Sequence, residues 1–484
     1  MSDLSSAAGG PASRAVLVSV VFRPEHTARN LGEVAYSYRF VYAAFAPLLA
    51  RWAATREVAQ PESRLDFAVR ECRRAGQAPA HLSFLPLHQT YLTAQAPNAA
   101  FPFWEFPDVP AEDLGNNPRQ NWLRIADRLD LVLTASAFTR DAFLRAGTRT
   151  PVRVVPVPVP AEYFALPPWR PGQRVVLDCP CYTFPQGEAP DPARQAPWAP
   201  VPAGRSLKAR ARQVYHRHLR RFLPHSVQDG VTRVMRAIRS RPEDMKPLTF
   251  FPRSPELDLS GVVYTTVLNP NDPRKNWHDL LSAFLLALAD REDATLVLKV
   301  VVSPALLLKA LNLVYAHYRR LGVRHRCRLA LVPDYLSDEQ MRELARGSTY
   351  YLNTSHAEGA CLPLQDFLAA GRPGVAPSHT ALADYFHDGV GFVVASHPEP
   401  TCWPHDPDGR CTTTWHRLVW QSLGEQLRAS YAVARSDTRR YRSLAEQGRA
   451  EMAAFAGAEQ VWPRLAAALD VLAPERFRAP AAAA

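Results

Sequence analysis

The 484-residue chain is short of cysteine, of lysine and of long apolar runs. Its seven cysteines, at 72, 179, 181, 327, 361, 402 and 411, include no CxxC pair and no zinc-ligand rhythm. That excludes a disulfide-dense scaffold and a zinc-finger module. An odd, scattered set reads as reduced thiols in a reducing compartment. No segment reaches the roughly 18 consecutive apolar residues of a membrane-spanning helix. The nearest, Ala294 to Ala316, is broken by Lys299, Pro304 and Lys309. The apolar run from Ala15 to Phe22 follows the acidic Asp3 and precedes Arg23-Pro24, so it reads as a first buried strand rather than a secretion signal. A cytoplasmic protein is expected, with any membrane contact peripheral. GxGxxG, GxxxxGK[ST] and GxSxG are absent as well. A dinucleotide-binding dehydrogenase or P-loop ATPase would lack its phosphate loop, and an α/β-hydrolase its nucleophile elbow.

What is present is ordinary globular material, 47% apolar and 21% charged, long enough for about two to four domains. The formal charge is +11, but it is not spread out. Between Arg205 and Arg241 eleven Lys/Arg stand against one acid, Asp229, a net +10. Leu207, Val214, Tyr215, Leu219 and Phe222, then Val231, Val234, Met235 and Ile238, recur at near-helical spacing within this stretch. A basic amphipathic helix suits an anionic surface, and a solvated helix face is the plainer reading. Among anionic partners a membrane surface is favoured over nucleic acid, since few aromatics and no nucleic-acid signature accompany the charge. Proline-rich flanks, 156–160 and 185–202, read as connector. Residues 165–255 are therefore expected to be a Pro-rich linker with a basic helical insertion.

On either side lie two blocks in which strand-like runs alternate with amphipathic helices. The first, within 1–164, has strands at 15–22, 130–134 and 152–155 and helices at 33–51, 62–74 and 139–146. The second, within 256–412, has strands at 262–267, 294–302, 328–332, 349–353 and 391–394. Its helices are expected at 277–289, 304–321, 337–346, 362–370 and 381–386. Such alternation indicates parallel sheets covered on both faces, with ligands at the strand C-terminal ends. From 413 to 484 a helical tail follows, with the N-terminal domain as its candidate packing surface.

Two strand–loop–helix stretches carry the chemistry. In the first, Glu358 and Gly359 stand just before a helix expected to start near Leu362. Free N–H groups and the helix dipole there suit a phosphate. Asp366 follows Glu358 by eight positions, so both carboxylates can border one ligand. In the second, Arg274 and Lys275 stand at a helix entrance, followed by Asn276. The chain has five Lys against 52 Arg, and a Lys placed here fits a compact charge on a phosphate oxygen. The plainer alternative is a surface turn with ordinary caps. Phe101 to Pro107 is an aromatic run around one acid, Glu105, suited to sugar rings and to orienting an acceptor proton, with core aromatics beside a rim carboxylate as the equally open alternative. Asp406-Pro-Asp408 reads as a turn rather than a metal site.

Pro273-Arg-Lys-Asn276 resembles the RKN element of GT-B glycosyltransferases of family 4, and Ser355-x-x-Glu-Gly-x-x-Leu-Pro-Leu-x-Asp366 their E-x7-E segment. Residues 371–384 (GRPGVAPSHTALAD) and Asp388-Gly-Val-Gly-Phe-Val are similar to the segments that follow. In the first block Arg29-Asn-Leu-Gly-Glu-Val34 resembles the glycine-containing loop after the first strand, with one clear glycine, Gly32. The second acid is Asp rather than Glu, and Asn269-Pro270 replaces the pair that precedes RKN. The resemblance implies an α/β GT-B fold, two Rossmann-like doubly wound domains facing a cleft, with the Pro-rich, basic insertion between them. It implies retaining transfer of a sugar from a nucleotide-diphosphate sugar to a glycan or lipid-linked acceptor, with no metal and no separate cofactor. Glu358 would hold donor-sugar hydroxyls, Asp366 the ribose diol, and Arg274 and Lys275 the diphosphate. Gly359, Leu362, Asn276, Lys299, Thr380, Gly32 and His88 would line the cleft. Two readings stay open beside it: a nucleotide-sugar epimerase or pseudo-glycosyltransferase on the same fold, and a non-enzymatic binder of anionic polymers acting through 205–241.

Overall fold

The computed structural model describes residues 14–20, 31, 36–184, 186–187, 252–404, 406, 409 and 411–472. Gly32 and the basic stretch 205–241 lie outside the described residues.

The first domain is built on a parallel sheet of six strands in the order β2-β1-β3-β4-β5-β6. These are β1 Arg14–Val20, β2 Ala54–Glu57, β3 Ala78–Phe84, β4 Asn98–Ala100, β5 Leu131–Thr134 and β6 Val152–Val154. β1 is a near-continuous apolar run, as befits a strand covered on both faces. Helix α1 (Tyr36–Trp52) puts Val41, Phe45 and Leu49 on one side of the sheet, and α2 (Pro61–Arg74) puts Leu65 and Val69 on the other. The short α3 (Trp122–Ala126) and α4 (Ala137–Arg145) flank β5. Ser136 caps α4 by accepting the Thr139 N–H at 3.2 Å.

The second domain has an eight-stranded sheet in the order β16-β15-β14-β11-β12-β13-β8-β9. Its parallel part is β11 Val262–Leu268, β12 Ala294–Val300, β13 Arg328–Val332, β14 Tyr350–Leu352, β15 Gly374–Pro377 and β16 Gly391–Val394. Tyr264, Leu296 and Leu298 supply one face of the core, and Val263 and Val297 the other. The covering helices are α6 (Trp277–Leu288), α7 (Pro304–Leu321), α8 (Asp338–Gly347), α9 (Leu362–Ala369) and α10 (Trp420–Ser436). α8 starts where Ser337 and Gln340 form a reciprocal capping box. The turn into β11 requires glycine: Gly261 has φ +78°, and a Cβ there would collide with the Asp293 carbonyl.

Several sequence expectations are revised. After a short helix, α5 (Ala161–Phe164), the 165–255 stretch assigned to a linker and insertion contributes strands at both ends, β7 (Arg174–Leu177) and β8 (Cys181–Thr183) first and β9 (Arg253–Ser254) last. β8 adds antiparallel to β13 and carries β9 (Arg253–Ser254). β7 pairs with β10 (Leu257–Ser260), and Trp169 is buried in the second-domain core. Pro180, Pro252 and Pro255 stand between these strands rather than within them. The expected helix at 381–386 is a 3₁₀ turn over Thr380–Asp384. The hairpin β17–β18 (Ser396–Cys402 and Thr412–Leu418) stands where turn and helix were read, so the helical tail begins at Trp420.

The chain then returns to the first domain. α11 (Thr438–Ala456) packs on α9, and α12 (Ala458–Leu469) crosses over. Val461, Leu465, Ala468 and Leu469 join the first-domain core. Trp52 Nε1 donates to Asp470 at 3.1 Å, and Arg51 pairs with Glu459 at 2.8 Å. Where the chain crosses, the Val159 N–H donates to the Ala456 carbonyl at 2.9 Å.

Candidate active site

Two loops that follow strands of the second sheet converge. After β11, Asp272 begins a tight 3₁₀ turn by accepting the Arg274 N–H at 3.0 Å. The turn ends at Asn276 in the left-handed region, φ +45°, and α6 begins. After β14, Asn353 accepts the Ser355 N–H at 2.8 Å. That loop ends at Cys361, φ +58°, where α9 begins with Pro363 in its first turn. The loops are joined through their backbones. The His356 N–H donates to the Arg274 carbonyl at 2.7 Å, and Thr354 Oγ1 to the Asn276 carbonyl at 3.1 Å. Left-handed conformations at non-glycine residues cost on the order of 1–3 kcal/mol each and gather at functional sites. Three of them, Asn276, Cys361 and Thr380, fall here.

At the junction Lys275 Nζ donates to Glu358 Oε1 at 2.6 Å. Ser355 Oγ donates to the same oxygen at 2.6 Å, and Asn353 Nδ2 at 3.3 Å. Glu358 is buried, and its own N–H donates to Thr380 Oγ1 at 3.0 Å. Burial alone would raise the Glu358 carboxyl, but Lys275, Arg274 and the two short hydrogen bonds outweigh it and hold it below its ordinary value. Burial would likewise lower the Lys275 ammonium, and Glu358 more than reverses that. Both groups are therefore charged at neutral pH.

Arg274 points elsewhere. Its guanidinium bonds Asp272 at 2.8 Å, Glu105 of the first domain at 2.9 Å and the Ala357 carbonyl at 3.2 Å. Burial opposes its charge, but Glu105 and Asp272 together hold its pKa above the ordinary value. The structure thus joins Arg274 and Glu105 in a bridge between domains. The diphosphate and acceptor duties expected of them would have to coexist with that bridge.

The remaining site residues are placed as follows. Asp366 is half-buried one turn into α9, and burial, helped by Asp338, pushes its carboxyl up to about 8. It shares no hydrogen bond with Glu358 among the described residues. A Cβ on Gly359 would lie 3.4 Å from the Trp104 backbone nitrogen, so this loop sits directly against the aromatic run of the first domain. Leu362 packs on the first-domain core. Asn276 Nδ2 donates to Asp279 at 3.0 Å. Lys299 is buried with Nζ donating to the Val300 carbonyl at 2.9 Å; burial pushes it down to about 8, and its charged neighbour is Asp334. His88 lies in the first domain with its ring 5.9 Å from that of Trp122. Asp406 accepts the Cys411 N–H at 2.8 Å, as a turn residue does.

The sequence reasoning passed over several contributors. Asn353 and Ser355 orient Glu358, and their Asn-x-Ser spacing before an acid was the available signal. Asp384 Oδ2 accepts the Ala137 N–H at the start of α4, 2.7 Å across the domain boundary. Thr413 Oγ1 donates to Asp108 at 3.0 Å, and Trp403 packs on Trp104 at 5.5 Å. The β17–β18 hairpin therefore spans the two domains beside the aromatic run, and no sequence motif announced it.

No family model matches the sequence, and no curated protein does. Solved structures do match. HepE from Anabaena, in complex with UDP and glucose, is 12% identical at TM-score 0.50, covering 95% of this chain and 99% of its own. Sucrose-phosphate synthase from Thermosynechococcus elongatus is 13% identical at TM-score 0.50, and α,α-trehalose 6-phosphate synthase from Burkholderia multivorans is 13% identical at 0.51. Each of these two also covers 95% of this chain and 99% of its own. The chain has the GT-B fold. The loops after β11 and β14 face the first domain, through Arg274 on Glu105 and Gly359 against Trp104. The Lys275–Glu358 pair stands in those loops.

Proposed function

We propose that the chain is a retaining glycosyltransferase that moves a sugar from a nucleoside diphosphate sugar to a glycan or glycolipid acceptor. One observation carries the reading. A buried, ionised Lys275–Glu358 pair, 2.6 Å apart, stands at the interdomain ends of the parallel strands, beside the start of α9. A lone structural ion pair would gain little from that position. A diphosphate needs a compact cation and free N–H groups, and a sugar ring needs a fixed carboxylate for its hydroxyls. The structural neighbour HepE, whose complex holds UDP and glucose, supports this assignment.

In the reaction, the anomeric carbon–oxygen bond to the diphosphate breaks and the acceptor oxygen bonds that carbon on the same face. The acceptor proton leaves with the diphosphate. Negative charge grows on the diphosphate as the bond breaks, so Lys275 and the loop N–H groups that lead into α9 act mainly on the transition state. Glu358 turns from Lys275 to hold sugar hydroxyls, with Ser355 and Asn353 fixing it. Asp366 meets the ribose diol. Arg274, tied to Glu105 and Asp272, holds the domains together and adds its positive field. The acceptor approaches over the aromatic run 101–107.

Incubation with a panel of nucleotide sugars and glycan or glycolipid acceptors tests this. Glu358→Gln and Lys275→Ala should each lower turnover about 10²–10³-fold, the usual effect of losing one such group. Release of a nucleoside diphosphate with a new glycosidic bond supports the reading. Epimerised nucleotide sugar without transfer, or no consumption of any donor, overturns it.

A further inference from the structure

A carboxylate that changes partners needs a fixed stem. In the reaction above Glu358 leaves Lys275 for the sugar, so its 2.6 Å bond to that ammonium cannot set its place once the donor is bound. Its backbone is held separately. The Glu358 N–H donates to Thr380 Oγ1 at 3.0 Å, and the Glu358 carbonyl accepts the Ala381 N–H at 3.2 Å. Both grips come from one turn, Thr380–Asp384, which follows β15. The turn is anchored at both ends. Before it, the ring of His379 lies on that of His416 at 14° and 4.3 Å. At its far end Asp384 accepts the Ala137 N–H of the first domain at 2.7 Å.

Threonine is a costly residue for this place. Thr380 has φ +50°. Among the described residues nine glycines take positive φ, where no side chain opposes it, and Thr380 is the one β-branched residue that does. A glycine would give the same backbone with less strain and would keep the Ala381 grip. It would leave the buried Glu358 N–H without its acceptor. The hydroxyl is therefore what threonine brings, and strain of this kind gathers at functional sites. The same oxygen also lies 2.8 Å from the His379 carbonyl, so its contacts are within the protein.

We infer that Thr380 is a positioning residue for the donor sugar: its hydroxyl fixes the Glu358 backbone so that the carboxylate meets the sugar hydroxyls after it leaves Lys275. The inference rests on the nucleotide-sugar reading and deepens it. Thr380 acts through Glu358 rather than on the donor, which refines the cleft-lining role that the sequence suggested for it. The diphosphate, held by Lys275 and the loop N–H groups, does not depend on this clamp.

Calorimetric titration of the whole chain separates the sugar's share of the affinity from that of the diphosphate. The probes are UDP-glucose, ADP-glucose and GDP-mannose, each paired with its sugarless diphosphate. Thr380→Val keeps the branched shape and loses the acceptor. Thr380→Gly also loses the acceptor but frees the backbone, which guards against misfolding of the valine variant. Thr380→Ser keeps the acceptor. For the pair that wild type binds, the valine and glycine variants should both weaken the sugar nucleotide about 3- to 10-fold, the worth of one hydrogen bond, and leave the diphosphate unchanged. Thr380→Ser should stay near wild type. A loss in Thr380→Val that Thr380→Gly does not share would trace the effect to the backbone and overturn the inference. Equal weakening of sugar nucleotide and diphosphate, a loss in Thr380→Ser as large as in Thr380→Gly, or no loss in any variant overturns it too. In each of these cases the glycosyltransferase reading stands. Binding of none of the pairs by wild type overturns both.

Discussion

Replacing Lys275 by Met leaves the Glu358 carboxylate buried with Ser355 and Asn353 but without its cation. Glu358 and Lys275 side chains are 6% and 20% exposed, so solvent cannot take over the charge. Breaking one half of such a pair costs about 3–5 kcal/mol. For a domain of roughly 150–250 residues, that lowers the unfolding temperature by roughly 6–20 °C. Scanning calorimetry reads it directly. The pH dependence has a definite sign. In the variant Glu358 keeps Arg274 and the Ser355 hydrogen bond but loses Lys275, the largest influence that lowers it, so its folded pKa rises relative to wild type. Ionising it in the folded variant is then less favourable, and the added cost appears as pH rises through the carboxyl range. Lys275→Met should therefore be more destabilised at pH 8 than at pH 4.5. In wild type the lowered carboxyl contributes stability that is present above the unfolded value, 4.5, and lost as pH falls through the folded one. Lys275→Met/Glu358→Leu removes both charges and should regain much of the loss. A single variant within about 1 kcal/mol of wild type, or a double variant no better than the single, would refute a buried, mutually dependent pair.

Other predictions concern the domain contacts and the second acid. Glu105→Gln removes the charged bond to Arg274, worth about 1.5–3 kcal/mol, while Asp272 still pairs with that guanidinium. Small-angle scattering should then show a larger radius of gyration, and an unchanged radius would count against the bridge. Asp366→Asn should stabilise the fold at pH 8 and above and do nothing near pH 3.8, because a carboxyl raised to about 8 loses stability as it ionises. The same change should weaken nucleotide affinity, and an unchanged affinity would remove Asp366 from the site. Deleting 205–241 should weaken binding to anionic vesicles most at low salt, and equal binding at all salt concentrations would exclude an electrostatic contact.

Much of the second domain was legible because its strands are long apolar runs and its helices carry their own caps and periodicity. β11, β13 and α7 lie within a residue of where patterning put them. The first domain hid three strands, β2 among them because its four residues are short and mostly exposed. β3 contains Pro79, His81 and Ser83, and β4 is three residues long, so neither shows an apolar run. The polar side chains are buried because they satisfy each other: Ser19 Oγ lies 2.9 Å from His81 Nε2, and His81 Nδ1 3.2 Å from Asn98 Oδ1. At the site, Glu358 and Lys275 were legible as loop residues at strand ends, since local spacing alone puts them there. Arg274 with Glu105, Asp384 with Ala137, and His379 with His416 were not, because each joins residues at least 37 positions apart through tertiary geometry.

A structure determined with a bound nucleoside diphosphate sugar tests the central claim most directly. The account predicts a diphosphate oxygen within about 3 Å of Lys275 Nζ, the length of a charge-assisted hydrogen bond. Glu358 should by then have left Lys275 for the sugar. A ligand bound elsewhere while Lys275 and Glu358 keep their 2.6 Å contact would contradict it.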